Sequence, residues 1–116
     1  MKLYVGGCCQ GQAELAAAET GLRPVDVTPE QAMTAPAIDH FHLLMRRVSD
    51  ERAFAQALIE RNPNAVIVSD EVGMGIVPID PIDRRWREQV GRALCLLARH
   101  AESVTRAVCG IGVRIK

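Results

Sequence analysis

The chain has 116 residues, 48% hydrophobic and 24% charged, with 14 basic side chains balanced by 14 acidic ones. This suits one ordinary globular domain over residues 1–116 and excludes a disordered chain. Zero net charge and four aromatics (Trp, Tyr, two Phe) argue against nucleic acid, while the lack of a ~20-residue apolar run or a secretion-signal pattern points to a cytoplasmic protein without membrane contact.

In chain order, Lys2–Val5 reads as an apolar strand leading into the segment Gly6-Gly7-Cys8-Cys9-Gln10-Gly11-Gln12-Ala13. A helix follows over about Gln12–Thr20, stopped by Gly21 and the nearby Pro24. Residues 21–36 hold Pro24, Pro29 and Pro36 and read as irregular, with a short strand at Val25–Val27. Ala37-Ile38-Asp39-His40-Phe41 is the next strand candidate, with helix starting near His42–Leu43 and again over about Ser49–Arg61. There Phe54, Ala57 and Leu58 make an apolar stripe, and Asn62-Pro63-Asn64 ends it. Ala65-Val66-Ile67-Val68 has the composition of a strand buried on both faces.

Asp80 as a cap, Pro81 at the first helical position and Asp83 in the first turn start a long helix reaching about Ala101. Its apolar stripe is Ile82, Trp86, Val90, Ala93, Leu94 and Leu97, so Trp86 reads as core. Thr105–Cys109, a turn at Gly110–Gly112 and Val113–Lys116 form a terminal hairpin. The alternation predicts an α/β layer fold, with a mostly parallel central sheet and an antiparallel C-terminal hairpin.

Gly6 to Ala13 has the frame of the phosphate-loop motif G-x-x-x-x-G-K-[ST], in its required strand–loop–helix context. Backbone N–H groups of Gly6, Gly7, Cys8, Cys9, Gln10, Gly11, Gln12 and Ala13 are therefore the expected nucleotide contacts. Gln12 stands where the phosphate-binding lysine belongs, and Ala13 where the Mg²⁺-binding hydroxyl belongs. Cys8 and Cys9 lie at a helix N-terminus, where a thiolate is favoured. The simpler reading is that they fill the loop as small residues. With no C-x-x-C or Cys/His pair at zinc spacing, no structural metal is expected.

Ligands of such sheets bind beyond the carboxyl ends of the strands. Three segments meet there: the loop, Asp39 with its neighbours, and Ser69–Pro78. Asp70 and Glu71 are candidates for an Mg²⁺ contact or for holding a substrate hydroxyl. Gly73 and Gly75 permit a tight turn or a close approach to a ligand. The simpler alternative is a loop that packs over the sheet, with Asp70 capping a turn. His40 and His42 are the histidines near this edge; either is a candidate nucleophile, against a packed histidine as the usual case. His100 suits a C-terminal dipole partner.

Charge is uneven. Residues 1–80 carry 6 Lys and Arg against 11 Asp and Glu, whereas residues 81–116 carry 8 against 3. The basic third suits a phosphate-bearing ligand or an acidic neighbouring subunit.

Asp70-Glu71-Val72-Gly73-Met74-Gly75-Ile76-Val77-Pro78 resembles the N-E-V-G-x-G-I-V-P segment of the adenosylcobinamide kinase/adenosylcobinamide-phosphate guanylyltransferase family. Arg85-Trp86-Arg87-Glu88, Gly91-Arg92 and Gly110-Ile111-Gly112-Val113-Arg114-Ile115-Lys116 are similar to that family's C-terminal third. The likeness is specific over residues 65–116 and partial over residues 1–45, where Gly6–Ala13 falls in the place of the family's phosphate loop and Ile38-Asp39 resembles its acidic strand.

The resemblance implies a P-loop NTPase-like three-layer fold in a small homo-oligomer. It implies two chemistries, phosphorylation of adenosylcobinamide and transfer of GMP from GTP through a guanylylated histidine. Mg²⁺ with GTP or ATP would be the cofactor; among this chain's own residues Asp39 is the expected metal contact, and Asp70, Glu71 and His42, the last as a replacement nucleophile, are the expected catalytic residues.

The chain departs from that pattern at Gln12, at Ala13, and in a shortened segment 21–38 that contains no histidine. Replacing an ammonium–phosphate contact by a neutral amide forfeits about 1.5–3 kcal/mol of charge-assisted hydrogen bonding. The loss is larger in the transition state, where preorganised charge matters most. Lys2 and Lys116 lie near the termini, and an arginine of the Arg84–Arg92 helix, from this chain or a neighbour, could supply the charge instead. The expectation is a nucleotide-binding family member with weak or lost kinase activity. The alternative is a non-catalytic relative that binds a corrinoid, a nucleotide or a protein.

Overall fold

The computed structural model describes residues 1–116. β1 (Lys2–Gly6) lies mid-sheet between β3 (Val66–Asp70) and β4 (Ser103–Val108), both parallel to it. β2 (Ala37–Ile38) extends the parallel sheet beyond β3, and β5 (Ile111–Arg114) closes the other edge antiparallel to β4. The mostly parallel sheet with an antiparallel terminal hairpin is the α/β architecture that the alternation predicts.

Register decides the layers. Leu3 pairs with Ile67 and Val104, and all three join Ile38 in a core cluster of 18 buried residues. α4 (Glu51–Arg61) and α5 (Pro81–His100) supply Leu58, Val90, Leu94 and Leu97 to that cluster. Tyr4, one residue along β1, faces the opposite way and joins Val66, Val68, Ala37 and Ala16 in a cluster of five. That thinner layer is covered by α1 (Gln12–Thr20). The Tyr4 hydroxyl donates to Glu19 Oε2 at 2.8 Å, tying the far end of α1 to β1. Burial, helped by the Glu19 carboxylate, pushes this phenol up to about 12.

The helix boundaries follow their caps. Asp50 accepts from the Ala53 N–H and Asp80 from the Ile82 N–H, with Pro81 opening α5. α1 ends on Gly21 at φ 72, as a left-handed stop requires. No helix is long and apolar enough to cross a membrane.

Several elements differ from expectation. β2 stops at Ile38, because Asp39 Oδ1 accepts the His40 N–H at 2.7 Å and His40 turns left-handed at φ 45. Phe41 then opens the short helix α3 (Phe41–Leu44), which puts its ring in the main core. Val25 makes an isolated parallel bridge to Ile38 instead of starting a strand. A further short helix, α2 (Pro29–Ala32), stands in the proline-rich stretch on a reciprocal Thr28–Gln31 cap.

β3 runs on through Ser69 and Asp70, because Asp70 still pairs with Gly6. A 3₁₀ turn, Val72–Met74, follows. In the hairpin the left-handed residues are Cys109 and Gly110, so the turn sits earlier than Gly110–Gly112 and β5 starts at Ile111. Gly112 lies within β5, where a Cβ would stand 2.7 Å from Leu15 Cδ2. Ile82 is 74% exposed and leaves the buried stripe of α5.

Candidate functional site

β1 and β3 end side by side, and the loop after β1 turns into the N-terminus of α1. Between them lies a cavity of about 520 Å³ that Cys8, Cys9, Gln12, Asp39, His40, His42 and Asp70 help to line. Gly11, the helix cap, takes φ 82 and donates no side-chain cap, so the first N–H groups of α1 open toward this cavity without a capping side chain. Gly6 is demanded by packing, since a Cβ there would sit 2.7 Å from the Ala107 carbonyl.

Gln12 fills the loop from inside. It is 5% exposed. Its Nε2 donates to the Gly7 carbonyl at 2.8 Å and to Asp70 Oδ1 at 3.0 Å. Its Oε1 accepts the Gln10 N–H at 3.1 Å, doing for that donor what a phosphate oxygen would do. Gln10 in turn fastens the loop to the β4–β5 turn: its Oε1 accepts from the Cys109 N–H and its carbonyl from the Gly110 N–H. The loop is thus closed by neutral hydrogen bonds within its own chain.

His42 and Asp70 are brought together and share a defined proton pattern. The Asp70 N–H donates to His42 Nδ1 at 3.1 Å. That nitrogen therefore carries a lone pair, and the neutral ring holds its proton on Nε2, 3.7 Å from Asp70 Oδ2. Burial, the largest influence, lowers the His42 pKa below the ordinary histidine range against the pull of Asp70. The Trp86 indole N–H donates to the His42 carbonyl at 2.7 Å, and the Arg46 guanidinium stacks 3.8 Å above the Trp86 ring.

His40, next to it at 5.8 Å between ring centres, sits in the opposite environment. Its Nδ1 lies 2.7 Å from Asp26 Oδ1 and 3.8 Å from Asp39 Oδ2. The hydrogen bond to Asp26 is the main reason its pKa is raised above the ordinary value. His40 and Asp39 also line a second cavity, of about 310 Å³, with Asp26 and Arg47 on its wall. Asp26 carries no sequence signal: only the bridge between Val25 and Ile38 brings it to His40.

Other expected residues stand elsewhere. The Glu71 side chain accepts the Gly73 N–H of its own 3₁₀ turn and does not line the cavity. Neither Gly73 nor Gly75 has a left-handed backbone. No arginine of α5 lines the cavity: Arg87 donates to the Gly73 carbonyl, and Arg92 pairs with Glu51 and Glu88. His100 closes α5, where a basic group suits the dipole. The free thiols of Cys8 and Cys9 share a hydrogen bond, their sulfurs 3.5 Å apart, and that neighbour, more than Asp70, raises the Cys8 pKa.

No three His, Cys, Asp or Glu side chains converge to hold a metal ion alone. Asp39 and Asp70 remain as carboxylates on one cavity, a donor set that suits Mg²⁺ arriving with a phosphate ligand. The cavity lining holds no lysine or arginine. It can offer backbone donors and two histidines to a ligand, but not the fixed cation that phosphoryl transfer relies on.

Comparison with known proteins agrees with the resemblance carried by Asp70–Pro78 and the C-terminal third. Over 72 residues the chain is 43% identical to the bifunctional adenosylcobalamin biosynthesis protein CobU of Salmonella typhimurium, covering 61% of this chain and 40% of that one. It is 46% identical over 61 residues to the protein of that name from Escherichia coli, covering 52% and 34%. CobP of Pseudomonas aeruginosa, also a bifunctional adenosylcobalamin biosynthesis protein, is 32% identical over 72 residues, covering 61% and 42%. The aligned stretch spans well under half the length of each relative. The family model for cobinamide kinase / cobinamide phosphate guanyltransferase matches residues 30–115, from α2 to β5, and leaves Gly6–Ala13 outside. With well over half of its length matched, the chain belongs to that cobinamide kinase / cobinamide phosphate guanyltransferase family.

Proposed function

We propose that this chain is a nucleotide-binding member of its family, acting in cobalamin biosynthesis, with weak or lost phosphoryl transfer. The observation that carries the reading is the Gln12 carboxamide, which holds the loop shut through the Gly7 carbonyl, the Gln10 N–H and Asp70. The loop keeps the shape of an anion cradle at a helix N-terminus. A phosphate must displace a neutral amide there and gains no ammonium in return. Mg²⁺ would enter with GTP or ATP, held by Asp39 and Asp70.

Of the two histidines, His40 is the better placed to accept a proton or a group. Its Nδ1 is engaged by Asp26, so the neutral ring keeps a free lone pair on Nε2. His42 has its lone pair committed to the Asp70 N–H.

The test is calorimetric titration of the protein with GTP and ATP, with and without Mg²⁺, at low salt. Mg²⁺-dependent binding at micromolar strength is expected. No heat and no thermal shift at millimolar nucleotide would make the loop a relic.

A second reading, a non-catalytic binding role, is favoured by one feature. Met74, Ile76, Val77, Ile79 and Ile82 are exposed together in the segment that follows Glu71. An apolar surface of this kind suits a corrinoid or a second subunit of a homo-oligomer. Corrinoid binding without nucleotide binding would favour it.

A further inference from the structure

The Cys8–Cys9 pair has a geometry that neither the cradle nor the family chemistry uses. Successive side chains in an extended chain point to opposite sides. Here Cys9 takes a left-handed backbone at φ 58, and the two sulfurs come to 3.5 Å on one side of the turn. Both thiols are exposed, beside Gln12 and Asp70 on the cavity wall.

Two bonds compete for such a pair. A disulfide needs sulfurs about 2.05 Å apart and Cα atoms at least ~4.4 Å apart. Neighbouring Cα atoms across a trans peptide are held at about 3.8 Å, so a ring closed between Cys8 and Cys9 is strained and readily reduced. A single atom bound by both sulfurs has no such conflict. With metal–sulfur bonds of ~2.3 Å and a tetrahedral angle, the two sulfurs stand about 3.7 Å apart. The observed spacing is already within a few tenths of an ångström of that bite.

We propose that Cys8 and Cys9 form a bidentate site for one soft, thiophilic centre that brings its own remaining ligands. The last condition follows from the surroundings, where no third His, Cys, Asp or Glu converges to complete a protein cage. A monosubstituted trivalent arsenical has this chemistry. Its reaction with the pair forms two As–S bonds, releases the oxide oxygen with the two thiol protons as water, and changes no oxidation state. The site stands on the thiol geometry and is independent of whether a nucleotide binds the loop.

The experiment uses the full chain carrying Cys95→Ser and Cys109→Ser, which removes the two other exposed thiols. It is treated with one equivalent of phenylarsine oxide in excess glutathione and read by intact mass. One adduct per chain is expected, reversed by dithiothreitol. Adding Cys8→Ser or Cys9→Ser should each weaken retention roughly 100-fold, the loss of a second bond made at millimolar effective concentration. Circular dichroism checks that these exposed substitutions leave the fold intact. Absence of the adduct, its persistence in both single-thiol variants, or an adduct joining two chains would overturn the proposal.

Discussion

Residues 30–115 and the loop Gly6–Ala13 keep different things. The matched span retains what packing needs: Ile38, Leu58, Ile67, Val90 and Leu97 are each 0% exposed and lie in one cluster under the sheet. The loop, outside that span, keeps its glycines and its place between β1 and α1, yet its charged and hydroxyl positions hold Gln12 and Ala13. A core spreads its free energy over many contacts and tolerates drift at any one of them. A phosphate cradle concentrates its chemistry in two side chains, so changes at two positions can alter the chemistry while the glycines keep the shape.

The largest effect expected from breaking this contrast is in the packed half. Leu97→Ala removes a fully buried side chain between α5 and the sheet and should cost about 2–5 kcal/mol of unfolding free energy in a denaturant titration. A cost below ~1 kcal/mol would mean that the layer is not tightly packed.

Next comes the loop itself. Gln12→Lys restores the missing ammonium beside the Gly7 carbonyl and Asp70. GTP or ATP affinity measured by calorimetry should rise by about 10- to 150-fold, the equivalent of 1.5–3 kcal/mol. Unchanged affinity would show that the loop backbone is not a working cradle.

Much of the architecture was legible because its signals are local. Gly21 and the phosphate-type frame delimit α1 as Gln12–Thr20, Asp80-Pro81 opens α5, and Val66-Ile67-Val68 has the β-branched composition of a buried strand. The elements that differ are those fixed by particular bonds and contacts that residue type does not show. Ala37–Phe41 opens like a strand on Ala37-Ile38, but the Asp39–His40 bond and the core's demand for Phe41 end it at Ile38. Gly110-Ile111-Gly112 looks like a turn, while Gly112 lies within β5 against the side chains of Leu15 in α1 and Thr105 in β4. In the site, glutamine at the position of the motif's lysine was plain from residue type. That the amide turns inward and satisfies the loop was not, nor was the Asp26–His40 pair. Thr28-Pro29-Glu30-Gln31 has the residue types of a capping box for α2, inside a stretch that its prolines make read as irregular.

A third substitution separates frame from chemistry. Gly6→Ala adds a Cβ 2.7 Å from the Ala107 carbonyl, where the obstacle is backbone of a paired strand and cannot swing aside. It should destabilise the fold by about 1–3 kcal/mol. Gly91→Ala is the control: nothing lies within 4 Å of its added Cβ inside α5, so it should stabilise by about 0.5–1 kcal/mol. Equal effects at the two glycines would mean that β1 and β4 are not held at the spacing described.

The smallest effect tests the two histidines against each other. The raised pKa of His40 means that its contribution to stability is fully present below the ordinary histidine value of ~6.5 and is lost as pH rises through the folded value. For His42, lowered by burial, the sign reverses: its contribution is present above that value and is lost as pH falls through the folded one. The two slopes have opposite sign on opposite sides of ~6.5, so together they give a stability maximum near that value, and NMR titration of each ring is the measurement that assigns each limb. Asp26→Asn removes the main cause of the His40 shift and should return its midpoint toward ~6.5, leaving His42 below. Because the His40 and Asp26 side chains are 50% and 78% exposed, the stability change belongs within the ~0–1 kcal/mol of a surface pair. If His40 keeps its raised midpoint in Asp26→Asn while Asp39→Asn lowers it, the carboxylate that orients His40 is the one beside it in sequence and not the one brought by the Val25–Ile38 bridge.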